Sequence, residues 1–102
     1  MTERNLGKWQ RVHDGHGKTF TIGEKQIAMF SIDGEIFAFD DECPHVGASL
    51  GNGKLVGKLV TCPAHDWQFD VTNGECVTVD RCYVDTYPLK IENDEIILSL
   101  PS

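Results

Sequence analysis

Two short fragments that each join a cysteine to a histidine constrain this chain more than any other feature. They are Cys43-Pro44-His45 and Cys62-Pro63-Ala64-His65, and sixteen residues separate His45 from Cys62. Thiolate and imidazole ligands suit zinc, copper and iron–sulfur centres alike, so the residue types alone do not identify the metal. The fragments nevertheless predict a metal centre held by two loops, with Cys43, His45, Cys62 and His65 as its ligands.

The order of ligands within each fragment favours a binuclear iron–sulfur cluster over zinc. Structural zinc sites usually pair Cys with Cys and His with His, whereas each fragment here mixes the two. Both cysteines precede a proline, which fixes φ and stiffens its loop. A [2Fe–2S] cluster in which two histidines replace two cysteines on one iron needs this donor set. Zinc held by the same four residues is the alternative that remains open.

Length and charge narrow the class of protein. The 102 residues indicate one domain, and the contents of 40% hydrophobic and 25% charged residues are those of a globular protein. The net charge of −7 argues against binding to nucleic acid or to anionic membranes, and it favours a partner with a basic docking patch. No signal peptide or membrane span is visible, so we expect a cytoplasmic location, where four cysteines are better suited to metal binding than to disulfides.

Short β-rich runs separated by turn residues predict an all-β fold of small antiparallel sheets. Asp33-Gly34, Asn73-Gly74 and Asn93-Asp94 are the main turn signals. We expect residues 40–70 to form a subdomain that carries both ligand pairs on loops, while the other strands form a β-sandwich base. The ends, 1–6 and 101–102, should lie outside the ordered domain. The predicted strands are 8–12, 19–22, 26–32, 35–39, 58–61, 67–70, 75–79, 85–91 and 95–100.

The residues around the predicted ligands form a pattern that resembles the Rieske family. The pattern reads C-P-H-x-G-A-x-L, then C-P-x-H-x-x-x-F-D, then G. The resemblance implies a single Rieske domain over 1–102 with one [2Fe–2S] cluster. It also implies that Cys43 and Cys62 bind one iron, and that His45 and His65 bind the other. The matching residues are Cys43, Pro44, His45, Gly47, Ala48, Leu50, Gly53, Cys62, Pro63, His65, Phe69, Asp70 and Gly74.

The length and the strand-rich flanks are similar to those of the small Rieske ferredoxins of bacterial ring-hydroxylating oxygenase systems. This resemblance implies a soluble, monomeric one-electron carrier with no catalytic residue of its own. Such a carrier takes electrons from a flavin-containing NAD(P)H reductase and delivers them to a terminal oxygenase. Two other functions remain open: a small Rieske-like subunit of a larger oxidoreductase, such as an assimilatory nitrite reductase, or a zinc-stabilised interaction module.

Two further cysteines, Cys76 and Cys82, lie outside the pattern. Cysteine often behaves as a small buried hydrophobic residue, and this is the role we expect for both. A disulfide between them or a second metal site is the alternative.

Overall fold

The computed structural model describes residues 2–13, 15–43, 47–64 and 66–100, and within these ranges the chain forms three small antiparallel sheets. The predicted all-β fold is confirmed. The first sheet has the order β1-β10-β9, the second β2-β3-β4-β8 and the third β5-β6-β7. The strands are β1 Thr2–Lys8, β2 Gly17–Ile22, β3 Lys25–Ile32, β4 Glu35–Asp40, β5 Lys54–Val56, β6 Leu59–Thr61, β7 Gln68–Asp70, β8 Thr86–Tyr87, β9 Leu89–Glu92 and β10 Glu95–Leu100.

The tight turns that the sequence signals are present. Asp33 and Gly34 have φ values of 52° and 84°, and they connect β3 to β4 with Ile32 opposite Glu35. Asn93 and Asp94 have φ values of 53° and 63° between β9 and β10. Positive φ at both central residues is the geometry of the turn that matches the twist of a hairpin.

Strand β3 forms the wall between two hydrophobic cores. Successive side chains of a strand point to opposite faces. Ile27 and Met29 therefore enter the first core, whereas Ala28 and Phe30 enter the second, and all four are fully buried. The first core fills the β-sandwich base with residues of β10 such as Leu98. The second core lies under the third sheet and the residues that carry the predicted cysteine ligands.

Some predicted elements differ from the structure. Segment 8–12 is not a strand, because Trp9–Arg11 forms a 3₁₀ turn. Segment 2–6, predicted to lie outside the domain, belongs to β1, which pairs with β10. Segment 75–79 makes only isolated bridges, at Glu75 and Cys76.

The predicted strand 85–91 is divided at Pro88, which has no N–H to donate to a ladder, so β8 pairs with β4 and β9 pairs with β10. Strand β5 was not predicted. Among the described residues, helical structure is limited to two three-residue turns, and neither offers the length or apolar surface needed to cross a bilayer.

Candidate metal centre

The predicted ligand Cys43 begins the tip of a short hairpin-like loop. The loop closes below the tip by hydrogen bonds from Leu50 N to Asp41 O at 2.7 Å and from Cys43 N to Ala48 O at 2.9 Å. Gly47 N donates to Cys43 O at 2.8 Å and has a φ of 74°, which suits glycine. The predicted ligand His45, together with Pro44 and Val46, lies outside the described residues.

The predicted ligand Cys62 occupies the equivalent place in a second hairpin. Strands β6 and β7 pair with Thr61 opposite Gln68, and Cys62 N donates to Trp67 O at 2.9 Å. In both loops the cysteine N–H therefore donates to the carbonyl of the residue five positions later in the sequence. Four residues lie between donor and acceptor in each case, and we call these segments, 44–47 and 63–66, the loop tips. The predicted ligand His65 lies outside the described residues.

Both predicted cysteine ligands lie in the second hydrophobic core. Cys43 and Cys62 are each 1% exposed and belong to one buried cluster with Phe30, Phe39 and Val60. Opposite residues of an antiparallel pair share a face of the sheet. Val60 lies opposite Phe69, and Cys62 follows Val60 by two residues, so Cys62 points to the same face. The fold therefore brings the two sulfurs to one apolar region from two loops.

This donor set fits an iron–sulfur group. Neither cysteine is in a disulfide, and two thiolates buried in an apolar core are costly unless a cation neutralises them. Iron within a cluster supplies that positive charge. Within the part of the chain that the structure describes, no three His, Cys, Asp or Glu side chains are grouped to hold a single metal ion. The two histidines of the predicted set lie outside that part.

A buried carboxylate holds the first loop on the sandwich. Asp41 is 2% exposed, and its Oδ1 accepts hydrogen bonds from Gly51 N at 2.7 Å, Ser49 Oγ at 2.9 Å and Thr19 Oγ1 at 3.0 Å. A Cβ atom at Gly51 would lie 2.2 Å from Thr19 Oγ1, so only glycine allows this approach. Sequence reasoning missed Asp41, because the run Asp40-Asp41-Glu42 is typical of a solvated surface.

A second carboxylate holds the turn after β7. Asp70 Oδ1 accepts hydrogen bonds from the hydroxyl of Thr72 and from its N–H at 2.9 Å, and Oδ2 lies 3.1 Å from Lys58 Nζ. Burial alone would raise the pKa of the Asp70 carboxyl. The hydrogen bonds from Thr72 and the Lys58 charge outweigh burial and hold the pKa below its usual value. Asp70 thereby stabilises the hairpin that carries Cys62.

Cys76 and Cys82 lie next to the predicted ligands but outside the two tips. Both pack against the second core but are only partly buried, so the predicted role as buried hydrophobic residues holds in part. Burial raises the pKa of the Cys82 thiol, and the neighbouring Cys76 and, more weakly, Cys43 add to the effect. Cys82 thus lies within electrostatic reach of both Cys76 and Cys43, although neither Cys76 nor Cys82 is in a loop with a predicted ligand.

A model of the Rieske [2Fe-2S] domain family matches residues 4–88. The chain belongs to this family. The Rieske resemblance drawn from the cysteine–histidine fragments is therefore confirmed, and the cofactor that the family implies is a [2Fe–2S] cluster.

Curated relatives of this Rieske protein include ferredoxin components of oxygenase systems. The ferredoxin component of the naphthalene 1,2-dioxygenase system of Pseudomonas putida is 38% identical over 82 residues, which cover 78% of each chain. The ferredoxin component of the alkene monooxygenase system of Xanthobacter autotrophicus is 33% identical over 87 residues, covering 83% of this chain and 70% of the relative.

Solved structures agree with the fold of this Rieske protein. The ferredoxin of Sphingomonas yanoikuyae B1 superposes with a TM-score of 0.86 at 28% identity, covering 98% of this chain and all of that one. A chain from Mycobacterium tuberculosis named as a nitrite reductase small subunit superposes with a TM-score of 0.88 at 21% identity, covering 99% and 96% of the two chains. At that identity the second likeness concerns the fold alone.

The role of Asp41 predicts a large effect of Asp41→Ala on stability. The substitution leaves the buried Gly51 N–H without its acceptor, so the free energy of unfolding should fall by about 3 kcal/mol. Chemical denaturation of the purified protein measures the change. Glu42→Ala, at an exposed neighbouring position, is the control and should change the free energy by less than about 0.5 kcal/mol. Equal stability of the two variants would show that Asp41 does not hold the loop.

The lowered pKa of Asp70 predicts a stability that falls in acid. Because the folded pKa lies below the unfolded one, the contribution of Asp70 is complete above about pH 4 and is lost as the pH falls through the folded value. Asp70→Asn should lower the thermal midpoint at pH 7 and reduce its dependence on pH below 5. Asp80→Asn, at an exposed position, is the control. A pH profile of Asp70→Asn parallel to that of the unsubstituted protein would contradict this role.

Proposed function

We propose that this chain is a one-electron carrier whose [2Fe–2S] cluster is held by Cys43 and Cys62 on one iron and by His45 and His65 on the other. The observation that carries the proposal is the Rieske match over residues 4–88, with two buried cysteines at equivalent positions of two hairpins. When bound, such a cluster accepts and releases a single electron. The chain itself performs no catalysis, in line with relatives that are ferredoxin components.

In each hairpin the predicted cysteine ligand is buried, whereas the described residues next to the predicted histidine ligand are exposed. Cys43 and Cys62 fix their ends of the loops in the apolar core, where water is excluded. The described residues that flank the histidines are exposed, namely Gly47, Ala64 and Asp66. This contrast supports a route in which electrons enter and leave at the loop tips that contain His45 and His65.

The electron donor and acceptor follow from the systems in which the relatives work. We assign a flavin-containing, NAD(P)H-dependent reductase as the donor and a terminal oxygenase as the acceptor. The relatives include components of a dioxygenase system for naphthalene and a monooxygenase system for alkenes. An aromatic-ring-hydroxylating oxygenase is the acceptor that we favour, because the dioxygenase ferredoxin has the higher identity of these two relatives.

An acidic cleft beside the first loop suits docking to a basic surface. The cleft includes Gly47 of the loop tip and the exposed side chain of Tyr83. Opposite charges steer the encounter of two proteins and raise its rate, while a small interface lets the carrier leave quickly. Five acidic residues and one lysine line the cleft, although the carboxylate of Asp41 itself is buried; they are Glu24, Asp40, Asp41, Glu42, Asp85 and Lys25.

The proposal extends to the domain organisation, the oligomeric state and the location of the protein. The chain forms one Rieske domain over 1–102, with residues 40–70 as its cluster-binding subdomain on a β-sandwich base. It acts as a soluble monomer in the cytoplasm, and it binds neither nucleic acid nor membrane.

A small subunit of a nitrite reductase is the second candidate. The TM-score of 0.88 to a chain of that name supports it, but at 21% identity the likeness extends to the fold alone. The oxygenase-system ferredoxins have higher sequence identity, 38% and 33%, over 78% and 83% of this chain, so the carrier is the better supported function. Stable co-purification with a large subunit would favour the second candidate.

The ligand set predicts which cysteines the cluster requires. Cys43→Ser and Cys62→Ser each remove a thiolate, so both variants should lose nearly all bound iron and acid-labile sulfide. Cys76→Ser is the matched control, and it should keep two irons and two sulfides per chain. Iron and sulfide analysis of protein purified without oxygen measures both. Full cluster content in Cys43→Ser, or its loss in Cys76→Ser, would contradict the assigned ligands.

A further inference from the structure

Cys76 and Cys82 face each other across a third hairpin. Cys76 N donates to Cys82 O at 3.0 Å and Val84 N donates to Gly74 O at 2.8 Å, while Glu75 and Tyr83 form an antiparallel bridge between these two bonds. This register places Cys76 directly opposite Cys82, with the five residues 77–81 as the hairpin tip. The two thiols are close enough for Cys76 to add to the raised pKa of the Cys82 thiol.

The spacing of such a pair is compatible with a disulfide. Opposite residues in a hydrogen-bonded antiparallel pair have Cα atoms about 5.5 Å apart. Disulfides span about 4.4–6.8 Å between Cα atoms. The Cβ atoms of a hydrogen-bonded pair are farther apart than a disulfide prefers, so forming the bond requires a small inward movement. Strained and accessible disulfides are easily reduced again, so the bond would be reversible.

The surroundings distinguish this pair from the proposed cluster ligands. Cys43 and Cys62 are 1% exposed, whereas Cys76 and Cys82 are partly exposed and can be reached by a small reagent. The pair also touches the sheet of the second ligand loop, because Cys76 bridges to Phe69 of β7. Neither thiol belongs to a group of three potential metal ligands among the described residues.

We propose that Cys76 and Cys82 form a reversible thiol–disulfide site that reacts with low-molecular-weight disulfides of the glutathione type. One thiolate of the pair attacks a sulfur of the small disulfide, forms a mixed disulfide and releases one small thiol. The other cysteine then attacks the protein sulfur of the mixed disulfide, forms the Cys76–Cys82 bond and releases the second small thiol. Two electrons and two protons pass in total from the two protein thiols to the small disulfide.

The bond would join the two arms of the third hairpin covalently. It closes the loop 77–81 and fixes Cys76 beside β7, the strand that follows the second ligand loop. The exposed side chains of Val77 and Tyr83 lie next to the pair, and Tyr83 also lines the acidic cleft. Oxidation of the pair is therefore positioned to change the surface beside the proposed docking face without consuming a cluster ligand.

Peptide mapping of the holoprotein tests the proposal. The protein is equilibrated without oxygen in buffers of increasing ratio of oxidised to reduced glutathione, then denatured and alkylated at acidic pH. Trypsin cuts after Arg81 and Lys90, and a glutamate-specific protease cuts after Glu75. The expected product is peptide 76–81 linked to peptide 82–90, with reduction separating the two, while Cys43 and Cys62 are recovered as alkylated thiols. Iron analysis of the same samples reports the cluster separately.

A single-cysteine variant shows whether the second thiol takes part. In Cys82→Ser the mixed disulfide has no resolving partner, so glutathione should remain on Cys76, whereas the unsubstituted protein should show at least tenfold less of this adduct. The proposal is overturned if Cys76 and Cys82 are both alkylated in the most oxidising buffer. It is also overturned if each carries its own glutathione, or if either is linked to Cys43 or Cys62.

Discussion

The candidate metal centre depends on two cysteine sulfurs that lie inside an apolar core. Cys43 and Cys62 are each 1% exposed among aromatic and aliphatic side chains. A thiolate in such a place needs a positive partner, because the core offers little compensation for its charge. The fold therefore suits a cluster whose iron supplies that charge, and the described residues that adjoin the two predicted histidine ligands, Gly47, Ala64 and Asp66, are exposed.

Strand β3 contributes side chains to both hydrophobic cores, which lets a chain of about a hundred residues contain the sandwich base and the candidate site. Its alternate side chains fill the sandwich base on one face and the core below the ligand loops on the other. The rigid base and the site thus share a central strand, and loop 41–51 is tied to the neighbouring β2 through Asp41 and Thr19. A small domain has little core to spare, so using both faces of one strand lets it support two packed regions.

The sequence predicts local features of this structure well and long-range ones poorly. The turns at Asp33-Gly34 and Asn93-Asp94 and the cysteine–histidine fragments follow from neighbouring residues alone. Strand β1 was missed because its polar sequence becomes a strand only by pairing with β10, at the far end of the chain. Asp41 was missed for the same reason, since its partner Thr19 is twenty-two positions away and no local pattern signals its burial.

An EPR spectrum of the dithionite-reduced protein, recorded with iron and sulfide analysis, tests the central claim most directly. The account predicts a rhombic signal with an average g clearly below that of an all-cysteine cluster, with two irons and two acid-labile sulfides per chain. A silent spectrum with one zinc per chain would contradict it, and a signal typical of four-cysteine ligation would exclude His45 and His65 as ligands.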